Sequence, residues 1–377
     1  MKKVSILALH LGYGGIEKSI VSLANMLCSD YEVEIACSYM LYEEPAFKID
    51  SRVRIKYLVE DKKPNREAFL ESIRKFNYLK TFKEGIYGIQ TLYLKRKTMI
   101  KYILSNDFDI LISSRDVFND LVSKYAKDDV LKIAWEHNHY HGDLAYADRI
   151  VYSVRNMDYL VLVSKELLEF YNSRMKLAKC KCLYIPNVIE DVPKKISKLD
   201  KKRLISVGRL SPEKGYMDLL KIFNELSKEC DWCLDIIGDG DERSHLEDYI
   251  IENNLEEKVC LHGFRDKEYI YKMLNESSIY LMTSYTESFG IVLLEAMSCG
   301  LPCVAFSSAE GANEIIEDSN NGFLISNRDF FEYIDKVKCL IDDSNLRKKM
   351  GGVAYNSVFK YTADNVKSDW INLLEKM

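Results

Sequence analysis

Short apolar segments alternate with helix-length segments along the whole chain, and this alternation restricts the fold more than any other feature. Several segments are almost entirely apolar, as expected for strands that helices cover on both faces. The predicted strands are 4–9, 33–37, 110–113, 132–135, 159–163, 203–207, 234–238, 259–261, 279–283 and 302–306. Alternating strands and helices are typical of βαβ units, so the sequence predicts an α/β fold with parallel sheets.

The length of 377 residues is too great for one core and suits two domains. Around 187–200 the chain is rich in lysine, contains proline and lacks apolar periodicity, which favours a surface linker. We therefore predict domains 1–190 and 191–361, followed by an amphipathic helix over 362–377. Residues 1–190 carry a net charge of +4 and the remainder −9, so the two halves are expected to have different partners.

Charge, hydropathy and cysteine content all favour a cytoplasmic protein. The net charge of −5 argues against a nucleic-acid-binding surface. No apolar run reaches about 18 residues, so no membrane-spanning helix is expected. The N-terminal MKKVSILALHLG imitates a signal peptide but lacks a cleavage site, and we interpret it as the first strand. Ten cysteines predict reduced thiols, including the pairs Cys180/Cys182 and Cys230/Cys233.

The segment 62–101 interrupts the alternation because it is strongly basic. It contains eleven Lys or Arg residues and three Glu, with aromatic residues between them. The aromatic residues are Phe69, Phe76, Tyr78, Phe82, Tyr87 and Tyr93. One interpretation is a helical insertion whose apolar face packs on its own domain. The other is a basic amphipathic helix that contacts an anionic membrane or docks an acceptor.

The most informative motif runs from Glu287 to Glu295 in the sequence ESFGIVLLEAMSCGLP. It follows a predicted strand, and helical spacing begins at Gly290. In a parallel sheet, ligands bind where the carboxyl ends of strands meet helix N-termini. Free backbone N–H groups of Ser288, Phe289 and Gly290 would favour an anion there. The two glutamates are about two helical turns apart and are expected to contact two parts of one extended ligand.

A second loop, GRLSPEKG from Gly208 to Gly215, also lies between a predicted strand and a predicted helix. It places Arg209 and Lys214 five residues apart. A guanidinium group matches phosphate oxygens, and a lysine adds a mobile positive charge. In isolation such a pair is most often solvated surface, so its meaning depends on the other motif.

Together, GRLSPEKG and the Glu-x7-Glu string that closes in EAMSCGLPCV resemble the retaining glycosyltransferase family 4, of GT-B fold and of the bacterial capsular or exopolysaccharide type. Weaker similarities extend along almost the whole chain. They are Gly14-Gly15, Val163-Ser164, Pro186-Asn187-Val188, Ile237-Gly238-Asp239-Gly240, His262-Gly263-Phe264, Gly311, Glu314-Ile315-Ile316 and Asn321-Gly322. The resemblance implies two Rossmann-like domains with a cleft between them. The first would bind an acceptor, the second a nucleotide-sugar donor, and helix 362–377 would cross back to the first.

The resemblance also implies a reaction and the residues that perform it. A sugar would move from a nucleotide diphosphate sugar, UDP-linked rather than GDP-linked, to a hydroxyl of a glycan or lipid-linked glycan in surface polysaccharide biosynthesis. Arg209 and Lys214 would neutralise the leaving diphosphate. Glu287 would hold hydroxyls of the donor sugar, and Glu295 those of the ribose. Further donor contacts are implied for Gly14, Gly15, Gly208, Gly238, Phe264, Ser288, Phe289 and Gly290.

The acceptor side is expected in the string WEHNHYH, which follows the predicted strand 132–135. By similarity, His137 matches the histidine that the family places near the reacting anomeric carbon. Glu136, Asn138 and His139 are expected beside the acceptor. Three histidines in five residues suggest zinc, but only His137 and His141 have a suitable spacing and no third ligand is evident. We expect no metal, because fixed cations and helix dipoles would substitute for one.

Two other functions are alternatives to this enzyme. One is a non-catalytic nucleotide-sugar-binding partner of a polysaccharide synthase, which would tend to lose the four charged residues of the two motifs. The other is a nicotinamide-binding protein, which would need glycine where this chain has Glu17. The chain also departs from many relatives of the family, because Glu310-Gly311 stands where they have a Gly-Gly pair.

Overall fold

The computed structural model describes residues 1–105, 107–176 and 178–376. The chain divides into two compact units. The first consists of Met1–Leu162, Leu167–Ile185 and Lys367–Met377, and the second of Val163–Glu166 and Pro186–Val366. Each unit has its own sheet and its own apolar core.

The first unit alternates strands and helices around a parallel sheet. Its strands are β1 (Lys3–Ala8), β2 (Glu32–Cys37), β3 (Arg54–Tyr57), β4 (Ile110–Ser113), β5 (Leu131–Glu136), β6 (Tyr159–Leu162) and β7 (Lys181–Tyr184). Its helices are α1 (Gly15–Leu27), α2 (Arg66–Arg74), α3 (Tyr78–Ser105), α4 (Asp116–Tyr125), α5 (Leu144–Ser153) and α6 (Lys165–Arg174). The strand order is β3-β2-β1-β4-β5-β6-β7, with parallel pairs throughout the described residues. The central strand β1 is apolar and buried because helices cover both of its faces.

The second unit repeats this plan. Its strands are β8 (Arg203–Val207), β9 (Cys233–Ile237), β10 (Val259–Leu261), β11 (Ile279–Met282), β12 (Cys303–Phe306) and β13 (Gly322–Ile325). Its helices are α7 (Tyr216–Ser227), α8 (Arg243–Glu252), α9 (Lys267–Asn275), α10 (Ile291–Ser298), α11 (Glu310–Ile315), α12 (Phe330–Asp342) and α13 (Ser344–Ser357), and α14 (Ala363–Leu374) ends the chain. The strand order is β10-β9-β8-β11-β12-β13, again with parallel pairs. The sheet order reverses between β8 and β11, and the carboxyl ends at such a point are where ligands bind.

The α/β fold with parallel sheets that the sequence predicts is confirmed, and all ten predicted strands form within one or two residues of their expected bounds. Three strands were not predicted: β3, β7 and β13. Each lies at the edge of its sheet. An edge strand that is covered less completely needs no continuous apolar run, and this explains β3 (RIKY) and β7 (KCLY), in which no residue is fully buried. β13 (GFLI) is mostly buried, and its apolar run is only three residues long.

The segment 187–200 differs from the surface linker that its composition suggests. The Ile189 amide donates to the Tyr361 carbonyl at 2.9 Å, and the Ser197 amide donates to the Cys299 carbonyl at 2.8 Å. Leu199 is buried. The segment is therefore an ordered part of the second unit, held by backbone hydrogen bonds that composition does not reveal.

The last helix buries the apolar face that its sequence predicts. Val366, Trp370, Leu373 and Leu374 are all buried. The Trp370 ring meets the Trp135 ring edge-on, with centroids 5.1 Å apart. Lys367 Nζ lies 2.6 Å from Asp30 Oδ2. The chain from Lys367 onward thus packs within the first unit.

Over the described parts of the chain, no helix combines the length and the apolar character needed to cross a bilayer. The ten cysteines are free.

Candidate active site

The loop after β8 is shaped by a close approach of two backbones. Gly238, which follows β9, has φ +146°, and a Cβ atom there would lie 1.8 Å from the Gly208 carbonyl oxygen. The Gly208 amide donates to the Ile237 carbonyl at 2.9 Å. Only glycine fits at 238, so this predicted donor residue has a clear structural function at the carboxyl ends of β8 and β9.

Lys214 and Glu287, both predicted from the sequence, form an ion pair. Their side chains are 22% and 19% exposed, so the pair is largely screened from water. Gly215 follows Lys214 with φ +65°, and a Cβ atom there would lie 2.2 Å from the Thr283 carbonyl oxygen. This close contact brings the loop after β8 against the end of β11, and so brings the ammonium group to the carboxylate.

Arg209 lies in the same loop but is far more open. Its side chain is 72% exposed, and its Nη2 is 3.2 Å from Glu213 Oε1. An exposed pair of this kind contributes little to stability. The guanidinium group is therefore accessible to an anion, whereas the Lys214 ammonium is already held by a carboxylate.

The segment from Glu287 to Glu295 begins as a loop and becomes helical after Gly290, as the sequence predicts. Gly290 has φ +84° and precedes α10, so Glu287 lies in the loop and Glu295 on the helix. The Gly311 amide donates to the Glu287 carbonyl at 2.5 Å. The Glu287 amide donates to Glu310 Oε2 at 3.3 Å. Glu310 thus supplies a partner for the loop that carries Glu287.

The other predicted donor residues of this unit are spread around these loops. Glu295 is buried on α10. Burial raises the pKa of the nearby Tyr271 phenol, and the Glu295 charge raises it further. Phe289 is buried with its ring 5.7 Å from that of Tyr361. Ser288 is half-buried, whereas Phe264 is exposed. A Cβ atom at Gly311 would lie 2.4 Å from the Phe289 carbonyl oxygen, so the Phe289 backbone packs closely against this glycine.

Sequence reasoning missed Arg328, which binds the backbone directly after β11, a few residues before Glu287. Its Nη2 lies 2.7 Å from Asp218 Oδ2 and donates to the Thr283 carbonyl at 3.0 Å. Its Nη1 donates to the Ser284 carbonyl at 3.0 Å. The guanidinium carbon lies 3.7 Å from the centre of the Tyr285 ring. These residues come from three distant parts of the sequence, so no local motif signals the network.

His137 follows β5 in the first unit and is buried. Its ring is 4.2 Å from that of Trp135, and its Nε2 has no hydrogen-bond partner among the described residues. Burial, with the Arg115 charge as a second cause, lowers the pKa of His137 to about 3. The imidazole is therefore neutral at physiological pH and offers a hydrogen bond rather than a positive charge.

The residues around His137 mostly contact one another. Glu136 is buried, and its Oε1 accepts from the Asn138 amide at 2.8 Å and from the Tyr146 hydroxyl at 3.0 Å. His139 is also buried, and its Nδ1 accepts from the His141 amide at 3.0 Å. Asn138 is exposed. Of the three predicted acceptor-side residues, Glu136 and His139 thus accept hydrogen bonds from the backbone of their own loop, and Asn138 faces solvent.

Burial raises the pKa of Glu136 to about 7, which makes stability depend on pH. Because the pKa of this carboxyl rises from 4.5 on folding, the folded state binds the proton more tightly than the unfolded state does. Proton binding therefore stabilises the folded state at low pH, and this stabilisation is lost as the pH rises towards 7. We expect Glu136→Gln to gain stability relative to the parent between pH 5 and pH 8, by up to about 3 kcal/mol. Urea denaturation at both pH values measures this, with exposed Glu169→Gln as the control. The same difference in the free energy of unfolding between Glu136→Gln and the parent at pH 5 and at pH 8 would contradict this prediction.

Gly14 and Gly15 lie at the start of α1 in the first unit. Sequence reasoning missed the buried carboxylate beside them. Glu17 Oε1 lies 2.9 Å from Arg115 Nη2 and 3.8 Å from His10 Nδ1. No local pattern indicates this contact, because Arg115 is 98 residues away from Glu17 along the chain.

One group in the second unit has metal-ligand atoms close together: Asp235, Cys260 and His262, all within 4.8 Å. However, Asp235 already binds His262 Nε2 at 2.7 Å and Arg203 Nη1 at 2.6 Å. His262 Nδ1 is 2.9 Å from the Tyr269 hydroxyl. The group is therefore satisfied as a hydrogen-bond network.

Comparison with known proteins finds glycosyltransferases among the relatives of this chain. Residues 188–357 match the family model described as Glycosyl transferases group 1. An uncharacterized glycosyltransferase of Haemophilus influenzae is 26% identical over 99% of this chain and 100% of its own length. N-acetylgalactosamine-N,N'-diacetylbacillosaminyl-diphospho-undecaprenol 4-alpha-N-acetylgalactosaminyltransferase of Campylobacter jejuni is 25% identical over 92% of each chain.

A crystal structure of S. aureus TarM in complex with fondaparinux, alpha-GlcNAc-glycerol and UDP aligns over 100% of both chains with a TM-score of 0.78 and 15% identity. At this identity the likeness establishes the fold. It confirms the prediction of two Rossmann-like domains of the GT-B type.

Proposed function

We propose that this chain, a glycosyltransferase that carries the group 1 family match over residues 188–357, is a retaining enzyme of family 4 in bacterial surface polysaccharide synthesis. It transfers a sugar from a UDP-sugar to a hydroxyl of a glycan or lipid-linked glycan. The bond between the anomeric carbon and the diphosphate breaks, a bond to the acceptor oxygen forms on the same face, and the acceptor proton leaves with UDP. The pairing of Lys214 with Glu287, on loops at the ends of β8 and β11, carries the proposal.

The donor occupies these loops in the second unit. Arg209 and Lys214 stabilise the negative charge that develops on the diphosphate as it leaves. Glu287 binds hydroxyls of the sugar, and Glu295 on α10 binds the ribose. The ion pair supports this division, because it holds one cation and one acceptor of hydroxyl hydrogen bonds next to each other. When a phosphate of the donor takes the place of Glu287 as the partner of Lys214, the Glu287 carboxylate becomes free to bind the sugar.

Two cations in place of a metal make the reaction independent of divalent ions. Arg209 provides an accessible fork of donors, and Lys214 a positioned point charge. We expect turnover to persist in EDTA. If EDTA abolished turnover and added Mg²⁺ or Mn²⁺ restored it, this part of the proposal would be contradicted.

On the acceptor side, His137 provides a neutral imidazole near the anomeric carbon. Its buried Nε2, without a partner among the described residues, supports this role because such an atom in an apolar setting gains from a ligand hydroxyl. The acceptor is lipid-linked, as the name of the Campylobacter jejuni relative states for that enzyme. The enzyme therefore acts at the inner face of the cell membrane, in peripheral contact through 62–101.

A binding and product analysis tests the proposal. UDP is expected to raise the melting temperature of the chain more than GDP does, because a ligand of the folded state stabilises it by mass action. Glu295→Gln should reduce the shift by UDP, whereas exposed Glu252→Gln on α8 should leave it unchanged. The product formed from the bound UDP-sugar should retain the anomeric configuration by NMR. A larger shift with GDP, or an inverted product, would contradict the assignment.

A further inference from the structure

The helices α2 and α3 form a hairpin that projects one apolar face into solvent. Their mutual contacts lie on the other face of α3. Ser72 Oγ and Thr81 Oγ1 are 3.0 Å apart, and the Asn65 side chain donates to Glu84. A Cβ atom at Gly85 would lie 3.5 Å from the ring of Phe69, so this glycine lets α2 approach closely. The sequence left open whether the apolar face of 62–101 is buried in its own domain. The structure shows that most of it is not.

The exposed face of α3 carries an uninterrupted apolar stripe. Its members are three, four, three and four residues apart, which places them on one side of a helix. They are Leu79, Phe82, Ile86, Ile89 and Tyr93, which are 80%, 69%, 42%, 70% and 65% exposed. From Leu79 to Tyr93 the helix rises through fourteen residue steps, so the stripe is about 21 Å long. Phe76, Tyr78 and Leu92 beside it are also exposed.

Basic residues border the stripe and continue it. Lys97 and Lys101 extend the same side of α3 towards its end, and Lys83 lies next to the stripe; all three are exposed. The segment 62–101 carries a net charge of +8 in a chain whose total is −5. Lys95 is an exception, since its Nζ lies 3.6 Å from the centre of the Tyr39 ring, and burial lowers its pKa to about 8.

A lipid bilayer and a second copy of this chain are the two candidates for covering such a stripe, and charge decides between them. Its spacing also suits a coiled coil with a second copy. In that arrangement the positions flanking the seam on one side are Lys83, Gln90 and Lys97, with no acidic residue to pair across the interface. Two antiparallel copies would bring these like charges together, and two parallel copies would place them opposite Tyr78, Gly85 and Leu92, which carry no charge. An anionic surface is complementary to the same residues.

We propose that the stripe from Leu79 to Tyr93 inserts into the surface of an anionic bilayer, with α3 lying parallel to the membrane. The apolar side chains enter the boundary between headgroups and acyl chains. Lys83, Lys97 and Lys101 contact the anionic headgroups. The proposal rests on the membrane location given under the proposed function, and it adds an apolar anchor to what charge alone would provide.

Vesicle flotation of the full chain tests the proposal, with phosphatidylcholine vesicles compared with vesicles that also contain phosphatidylglycerol. Binding to the anionic vesicles is expected to be at least tenfold stronger. The triple variant Leu79→Ser, Phe82→Ser, Ile89→Ser should lose about tenfold in binding. The matched control Tyr152→Ser, Ile251→Ser, Phe331→Ser removes three apolar residues that are equally exposed elsewhere, and it should bind like the parent.

A tryptophan reporter shows insertion directly. The native Trp135, Trp232 and Trp370 are buried, so Phe82→Trp adds one exposed tryptophan. Anionic vesicles should shift its emission to shorter wavelength and should leave the parent spectrum unchanged. UDP binding, measured by thermal shift in the same samples, reports the proposed donor site separately from membrane binding.

Three results would overturn the proposal: equal flotation with both lipids, equal loss in the control variant, or no emission shift of the reporter. A dimer that the stripe variant abolishes, found by analytical ultracentrifugation without lipid, would assign the stripe to a second copy instead. Vesicle binding by a chain that does not bind UDP would support the anchor and count against the proposed enzyme function.

Discussion

Replacing Lys214 with alanine is expected to lower kcat about 10²- to 10³-fold, which is the usual loss when one preorganised donor to a developing charge is removed. The ammonium group is fixed by Glu287 and screened from water, so its interaction with a leaving diphosphate is stronger than that of a solvated lysine. Because the charge on the diphosphate grows as the bond breaks, the loss should fall mainly on kcat rather than on KM. Release of UDP at saturating donor measures it.

The control for this change is Lys221→Ala, which removes an exposed lysine from α7, the helix that follows Lys214. Its kcat should equal that of the parent. Since alanine at 214 leaves the Glu287 carboxylate without its ion pair, the melting temperature of each variant must be measured alongside turnover. A rise in KM with unchanged kcat would mean that Lys214 binds the ground state and the transition state equally.

Arg209→Ala provides a cleaner test of the same idea. Arg209 is exposed and contacts Glu213 in a surface pair, so its loss should hardly change the stability of the second unit. We expect a loss of kcat of about 10²-fold or more, as for Lys214. Normal turnover in both variants would remove these cations from the site.

The sequence predicts the strands well because the central strands of a parallel sheet must be apolar on both faces. The same argument explains the omissions. β3 and β7 are edge strands with few buried residues, and their pairing depends on backbone groups that any residue supplies. β13 (GFLI) is also at an edge but is mostly buried, and its apolar run is only three residues long. The ordered path of 187–200 depends in the same way on backbone hydrogen bonds, such as that from Ser197 to Cys299.

For the candidate site, the sequence supplies the reactive side chains but not their supports. The reactive residues belong to two local strings, so they can be identified without a structure; they are Arg209, Lys214, Glu287 and Glu295. The contact of Gly238 with the Gly208 carbonyl joins two strand ends, and nothing in either string indicates it. A buried group such as Glu136 is equally hidden, because the pattern around it is that of a polar loop.

Removal of Arg328 should have the largest effect on stability. Arg328→Ala breaks a pair with Asp218 in which the side chains are 18% and 12% exposed, and it leaves the Thr283 and Ser284 carbonyls without this donor. Loss of one partner of a largely buried pair costs about 3–5 kcal/mol, because the remaining charge stays desolvated. Arg328 and Asn327 also hold left-handed backbone conformations, with φ +51° and +52°.

Urea denaturation measures this loss, with Arg243→Ala as the matched control. Arg243 forms its pair with Glu247 at a more exposed site on α8, so its removal should cost less than about 1 kcal/mol. The double variant Arg328→Ala, Asp218→Ala should be more stable than the sum of the two single losses predicts, since the residues are in contact. Strictly additive losses, or a cost for Arg328→Ala no larger than that of the control, would show that the network does not stabilise the loop.

Because Thr283 and Ser284 lead directly to Glu287, the loss of Arg328 should also weaken UDP binding. Arg328 acts here as a support for the loop and not as a ligand of UDP.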